Sequence, residues 1–248
     1  MKFILGLIRF ILFALVSVTM ISYFLLSGII LGCSTERGFR LRARFIRIML
    51  LILNVQIRYF GKLPAKGFTG FIVANHRSYF DPIAILRDID AVTVAKSQVS
   101  NWPIVGLGAK LVGVIWVNRD DKDSRRATRD KMAKQIKSGY NVMIFPEGTS
   151  HTAEEMLQVR NATFVMAAES GIPVLPVAID YKHKADAWVG DDTFVRHFFE
   201  CFGKWKTEVG VYYANSIAMD DAEVLKGFVV SEINSNVKTI RAEIGYVG

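Results

Sequence analysis

A histidine and an aspartate stand five positions apart in "NHRSYFDP" (residues 75–82), directly after the apolar run "GFIVA". A carboxylate on one imidazole nitrogen fixes the tautomer and leaves the other nitrogen free as a base. That arrangement suits removal of a proton from a hydroxyl near neutral pH. Asp81 precedes Pro82, and an Asp N-cap followed by Pro in the first turn is a favoured helix start. The spacing therefore predicts a loop 75–81 that folds back, with Asp81 pinned at a helix start and facing His76. A purely structural pair at a strand exit is the plainer reading of the same two residues. A second stretch, "NVMIFPEGTS" (141–150), repeats the design with Pro146, Glu147 and Gly148 after an apolar run. Either loop alone reads as an ordinary strand exit; together they form a candidate site.

The elements that must position these loops are short apolar runs alternating with helical stretches. Strands are predicted at 70–74, 91–95, 113–118, 141–145, 172–180 and 207–213. Helices are predicted near 82–88, 102–111, 122–138, 160–170 and 220–242. This alternation reads as an α/β fold with a mainly parallel sheet flanked by helices. Such sheets bind ligands at the carboxyl ends of their strands, where His76 falls. The basic stretch 122–138 reads as a solvated outer face, with contact to lipid head groups or an acidic acyl donor as the other reading.

Charge is distributed unevenly. Residues 1–60 hold eight basic side chains against Glu36, a net +7, whereas the other 188 residues carry 23 basic and 22 acidic groups, a net +1. An excess lying outside the main domain points to an anionic membrane surface and away from nucleic acid. Two cysteines, Cys33 and Cys201, make no disulfide framework, and neither a metal nor a cofactor is called for. No GxxxxGK[ST] phosphate loop or HExxH pair occurs, so nucleotide hydrolysis and zinc proteolysis find no support.

From Phe10 to Thr35 the chain has 26 residues without a charge. As a helix this run extends roughly 39 Å, more than a hydrocarbon core of about 30 Å. It is too long for the apolar region of a cleaved signal peptide. A lipoprotein site at Cys33 is disfavoured by Leu31. Residues 1–36 thus read as a transmembrane anchor. Residues 37–60 read as a basic interfacial or partly inserted helix, for which a first core helix is the alternative. Residues 61–248 follow the "GKLPAKG" turn cluster as the main domain. The arginines after the anchor place that domain on the cytoplasmic side of the inner (plasma) membrane.

"NHRSYFD" resembles the Asn-His-x-x-x-x-Asp signature of the glycerolipid acyltransferases, typified by bacterial 1-acylglycerol-3-phosphate acyltransferases. "FPEGT" is similar to that family's second signature, "GVIWVNR" (113–119) to its strand ending in arginine, and "IPVLPVAI" (172–179) to its fourth block. The resemblance covers roughly residues 70–180. It implies a membrane-bound O-acyltransferase of phospholipid synthesis, moving an acyl chain from acyl-CoA or acyl carrier protein to the free hydroxyl of a lysophospholipid acceptor, 1-acylglycerol-3-phosphate, and giving phosphatidic acid. In that reading His76 is the base and Asp81 its orienting partner. Glu147, Gly148 and Thr149 shape the acceptor site, and Arg119 holds the acceptor phosphate. The chain departs from the pattern at Ser150, where the family usually has Arg; serine cannot supply that charged fork. Arg160 and Arg77 are the candidates to make up the charge. The alternative acceptor is another lysolipid such as lyso-ornithine lipid, and a catalytically silent lipid-binding protein is a third reading.

Overall fold

Apolar runs form strands and the periodic stretches form helices, in an order that alternates along most of the chain. The computed structural model describes residues 2–32, 34–102, 105–190 and 192–248; Cys33, where the lipoprotein reading falls, and the first residues of the 102–111 helix, Pro103 and Ile104, lie outside them. Two helices, α1 (Lys2–Leu31) and α2 (Thr35–Leu53), precede β1 (Val55–Gly61) and β2 (Phe71–Ala74). Then follow α3 (Asp81–Ile85), β3 (Ala91–Lys96), α4 (Val105–Leu111), β4 (Ile115–Val117), α5 (Lys122–Lys137) and β5 (Asn141–Ile144). The chain continues through α6 (Ala162–Ser170), β6 (Val174–Tyr181), α7 (Phe194–Phe202), β7 (Thr207–Tyr213) and α8 (Ala222–Ile244).

The described strands form one sheet in the order β1-β7-β6-β2-β5-β3-β4, parallel throughout except where β6 meets β7. Strands β2, β5 and β6 are buried along their whole length, as expected of a sheet covered on both faces. Alternation divides their side chains between two cores. Ile72, Met143 and Leu175 pack with α2, α3 and α7, whereas Phe71, Val142 and Val174 pack with α5, α6 and α8.

Two elements depart from the sequence reading. The helix expected over residues 37–60 stops at Leu53, and residues 55–61 are the edge strand β1, in register with β7 from Val55↔Thr207 to Gly61↔Tyr213. The break is Asn54, which takes a left-handed conformation (φ 51°) and donates its N–H to the carbonyls of Leu50 and Leu51. Asparagine tolerates that region better than other side chains, so it ends a helix much as glycine does. The second departure is α7, which the sequence reading leaves as connection. Its nine residues are rich in aromatics of modest helix propensity, and packing rather than propensity holds it.

That packing involves α1. Phe3 stacks on Phe199, and Phe10 and Phe13 meet Phe198. Arg9, a buried arginine in the apolar helix, donates to the carbonyls of Phe202 (2.8 Å), Lys204 (2.6 Å) and Trp205 (3.0 Å). These oxygens lie at and just beyond the C-terminus of α7, where a cation also meets the negative end of the helix dipole. The backbones come close here: a Cβ on Gly203 would lie 2.9 Å from the Lys2 carbonyl oxygen. The segment expected as a membrane anchor is therefore covered on one face by the rest of the protein. Its other face exposes Ile4, Ile8, Ile11, Leu15, Leu26, Ile29 and Ile30.

Candidate active site

The loops after β2 and β5 lie side by side because those strands are neighbours, paired from Phe71↔Val142 to Val73↔Ile144. His76 Nδ1 lies 2.8 Å from Asp81 Oδ2. The carboxylate is fully buried, and the imidazole is partly exposed and stacked on Phe145 with ring centroids 4.1 Å apart. Asp81 is not the N-cap expected from its sequence position. It occupies the first helical residue of α3, and its side chain points backward into the loop. Oδ2 accepts from the backbone N–H groups of Arg77 (2.6 Å) and Ser78 (2.8 Å), while Oδ1 accepts from the Tyr181 hydroxyl (2.8 Å). The loop is so tight that its own amides outcompete those of the helix that follows.

Every one of these partners donates, so the Asp81 carboxylate is held as an anion. Burial first, and then the Asp81 charge, push the Tyr181 hydroxyl well above its ordinary range, which keeps it a donor. An anion at Nδ1 means that this nitrogen carries the ring proton. Nε2 is left with its lone pair and takes no hydrogen bond among the described residues.

Glu147 does not turn toward a substrate. Its Oε2 accepts the His76 N–H at 2.8 Å, and its Oε1 accepts from the Leu157 N–H at 3.0 Å and meets His151 Nε2. The carboxylate that the resemblance assigns to shaping the acceptor site is thus engaged in holding the loop that carries His76. Gly148 does face the site. It has a left-handed backbone (φ 78°), and a Cβ there would lie 2.8 Å from Arg119 Nη1, which donates to the Gly148 carbonyl. Arg77 is 1 % exposed, with Nη1 on the His151 carbonyl (3.0 Å) and Nε 3.5 Å from Asp180. It cannot replace the charge missing at position 150. Ser150 itself donates its hydroxyl to the Trp188 carbonyl.

The structure adds Lys96, which the sequence reading does not single out because it is one lysine at the end of one of several strands. The sheet brings it close to Arg119 and Arg160. Burial, then those two guanidiniums, lower its ammonium below the usual lysine range, and Asp120 opposes the shift. Burial and Arg160 likewise lower Arg119. Among the described residues no carboxylate forms an ion pair with Lys96, Arg119 or Arg160. Three mutually repelling cations that make no ion pair, with Asp120 as the opposing charge near Lys96, suit an anionic group.

A cavity of about 560 Å³ joins His76 to Lys96 and Arg119, while Arg160 stands behind them and does not line it. His76, Lys96, Arg119, Gly148, Thr149 and Ser150 line it where β2, β3, β4 and β5 end, and Phe13, Met20, Leu41, Phe45 and Met49 of α1 and α2 line its apolar part. Its size and mostly apolar wall fit a small-molecule or lipid chain. A base facing an apolar cavity that has an anion-binding end can deprotonate a hydroxyl on an amphipathic anion.

Residues 58–180 match the protein family described as Acyltransferase. Over 193 residues the chain is 30% identical to a lyso-ornithine lipid O-acyltransferase of Rhizobium meliloti (strain 1021), an alignment covering 70% of this chain and 65% of that protein. It is 26% identical over 156 residues to a 1-acyl-sn-glycerol-3-phosphate acyltransferase of Neisseria meningitidis, covering 63% of this chain and 61% of that one. The chain thus spans less than two thirds of the length of these curated relatives. The crystal structure of the 1-acyl-sn-glycerophosphate (LPA) acyltransferase from Thermotoga maritima shares the fold, with a TM-score of 0.72 at 20% identity over 98% of both chains.

Proposed function

The chain belongs to the acyltransferase family, and from that premise we propose that it transfers an acyl chain from a thioester, acyl-CoA or acyl carrier protein, to the free hydroxyl of a lysolipid. The observation that carries this reading is the His76–Asp81 pair, 2.8 Å apart, with Nε2 free in a cavity that is apolar on one side and cationic on the other. His76 Nε2 takes the proton of the acceptor hydroxyl as its oxygen attacks the thioester carbonyl. Asp81 holds the ring and stabilises the imidazolium that forms. The carbon–sulfur bond then breaks, the thiolate leaves, and the proton returns to it from His76. No acyl-enzyme is needed, because a thioester is already activated.

The acceptor we propose is 1-acylglycerol-3-phosphate, giving phosphatidic acid. The unpaired Lys96, Arg119 and Arg160 support it, since together they suit a phosphate better than a neutral head group. The second reading, a lyso-ornithine lipid, draws on Ser150 in place of arginine and on the name of the Rhizobium relative. Membranes holding the protein, given labelled acyl thioester and a panel of lysolipids, separate the two. Under the first reading lysophosphatidic acid is the best acceptor. Arg119→Ala then lowers kcat/KM for it by about 10–150-fold, the worth of a charge-assisted hydrogen bond of about 1.5–3 kcal/mol, and Ser150→Arg is neutral or helpful. Wild-type protein that acylates lyso-ornithine lipid and ignores lysophosphatidic acid overturns the choice of acceptor and leaves the roles of His76 and Asp81 standing.

Membrane attachment through α1 is the reading its exposed apolar face supports, a run of large apolar side chains in one long apolar helix. Because Arg9 fastens α1 along α7, the catalytic domain sits against the bilayer instead of hanging from a tether. We place that domain on the cytoplasmic side of the inner membrane, where acyl thioesters are made. The protein is expected to resist a high-salt wash, to dissolve in detergent, and to survive protease applied outside spheroplasts. Cleavage by that protease reverses the orientation.

A further inference from the structure

His151 follows the FPEGTS stretch, where neither of its neighbours in sequence hints at a role. In the fold it joins the two catalytic loops by backbone and by side chain. Its N–H donates to the His76 carbonyl at 3.1 Å, and its Nε2 meets Glu147 Oε1, the carboxylate whose other oxygen accepts the His76 N–H at 2.8 Å. Both main-chain polar groups of the base are therefore held by the segment 147–151. On the other side of the ring, Nδ1 lies 3.1 Å from Arg77 Nη1 and 3.2 Å from the Ala153 N–H.

These partners determine the tautomer. A guanidinium nitrogen and a backbone amide can only donate, so Nδ1 must offer a lone pair. The single ring proton then sits on Nε2 and points at Glu147. The ring is buried, 9 % exposed, and the charged groups that face it are Glu147 from the loop after β5 and Arg77 from the loop after β2. Asp180 at the end of β6 and Arg241 on α8 stand behind Arg77, at 3.5 Å from its Nε and 2.7 Å from the far oxygen of Asp180 respectively. A second proton on His151 would place an N–H against two other N–H donors. Arg77 or the 151–153 segment must then move, and the Glu147 tether of His76 moves with it.

We infer that His151 is a positioning residue that holds the His76 backbone in place only while its own ring is neutral, so that two imidazoles, not one, must be unprotonated for turnover. This rests on the acyl-transfer reading, in which His76 is the base. Protonation of His76 removes the base; protonation of His151 displaces it. Glutamine can present an acceptor to Arg77 and a donor to Glu147 and carries no titratable group, whereas leucine can make neither contact.

The test is the acid limb of kcat/KM against pH for the full-length protein in membranes. Wild type is expected to fall with a slope of about two in logarithmic form, and His151→Gln with a slope of about one. His151→Gln should keep turnover near neutral pH within about tenfold of wild type, while His151→Leu loses more, chiefly in kcat. A wild-type slope of about one that His151→Gln leaves unchanged overturns the inference. A second measurement needs neither variant nor turnover. In wild-type protein with 15N-labelled histidine, the His76 ring signals should shift in two steps on acidification, one of them coinciding with protonation of His151. A single step overturns the coupling. Because the spectrum does not depend on an acceptor, an error in the acyl-transfer reading and an error in this one give different results.

Discussion

His76→Ala is expected to cut turnover by roughly 10²–10⁴-fold, the usual worth of a positioned general base, while the protein stays folded and membrane-bound. The side chain removed is partly exposed, lines the cavity, stacks on Phe145 and makes its one hydrogen bond among the described residues through Nδ1. Its backbone carries the structural bonds to Glu147 and His151, and those survive the substitution. The loss should therefore appear in kcat for every acceptor, with the salt-wash behaviour and the thermal transition close to wild type. Near-normal turnover in His76→Ala would sink the base assignment. Loss of activity together with loss of the folded state would leave it undecided, and the thermal transition is the control that separates the two.

Asp81→Asn is expected to cost roughly 10²–10³-fold in kcat, and the reason is charge rather than shape. Four donors converge on the carboxylate: His76 Nδ1, the Arg77 and Ser78 amides, and the Tyr181 hydroxyl. An amide can place its oxygen where Oδ2 now accepts three of them and turn its NH₂ toward Tyr181, whose oxygen can accept. The loop and the tautomer then persist, but the anion that stabilises the imidazolium is gone. Breaking a buried ion pair by neutralising one partner costs about 3–5 kcal/mol, which is of this size once the retained hydrogen bonds are allowed for. Tyr181→Phe is the comparison. It removes one of the four hydrogen bonds to the anion, worth at most about 1.5–3 kcal/mol, and leaves the charge in place, so it should reduce kcat less than Asp81→Asn does. Measured side by side, Asp81→Asn must be the more damaging of the two. The reverse order would mean that Asp81 serves the fold and not the reaction.

Several features of this protein are local and were legible in the sequence. Strand runs such as "GFIVA" and "NVMIF" are wholly apolar because both faces of the sheet are covered, and each ends in a loop whose Pro or Gly marks the exit. The spacing of His76 and Asp81 fits one tight loop, and a loop of that length can close on itself without help from elsewhere. The uncharged run from Phe10 to Thr35 likewise announces an apolar helix by composition alone.

Other features depend on which elements become neighbours, and that is settled by burial over long stretches of chain. Residues 55–57 extend the largely apolar run of α2 with only Asn54 and Gln56 as polar interruptions; the left-handed turn at Asn54 and the edge offered by β7, some 150 residues later, make them a strand. Arg9 reads as a flanking charge until the carbonyls beyond α7 arrive to meet it. Arg77 reads as a possible phosphate ligand, yet Asp180 and His151 bury it. Lys96 acquires its meaning when β3 is laid beside β5 and β4, which gathers it with Arg119 and Arg160. Glu147, by the same logic, faces inward because the loop after the strand beside its own presents the His76 N–H to it. The sequence by itself determined the residue types, the strand exits and the pairing of His76 with Asp81, all set by periodicity and short-range geometry. The tertiary structure alone decided which charges are free to meet a substrate and which are consumed in holding the loops, because burial and pairing are properties of neighbours that the chain brings together only when it folds.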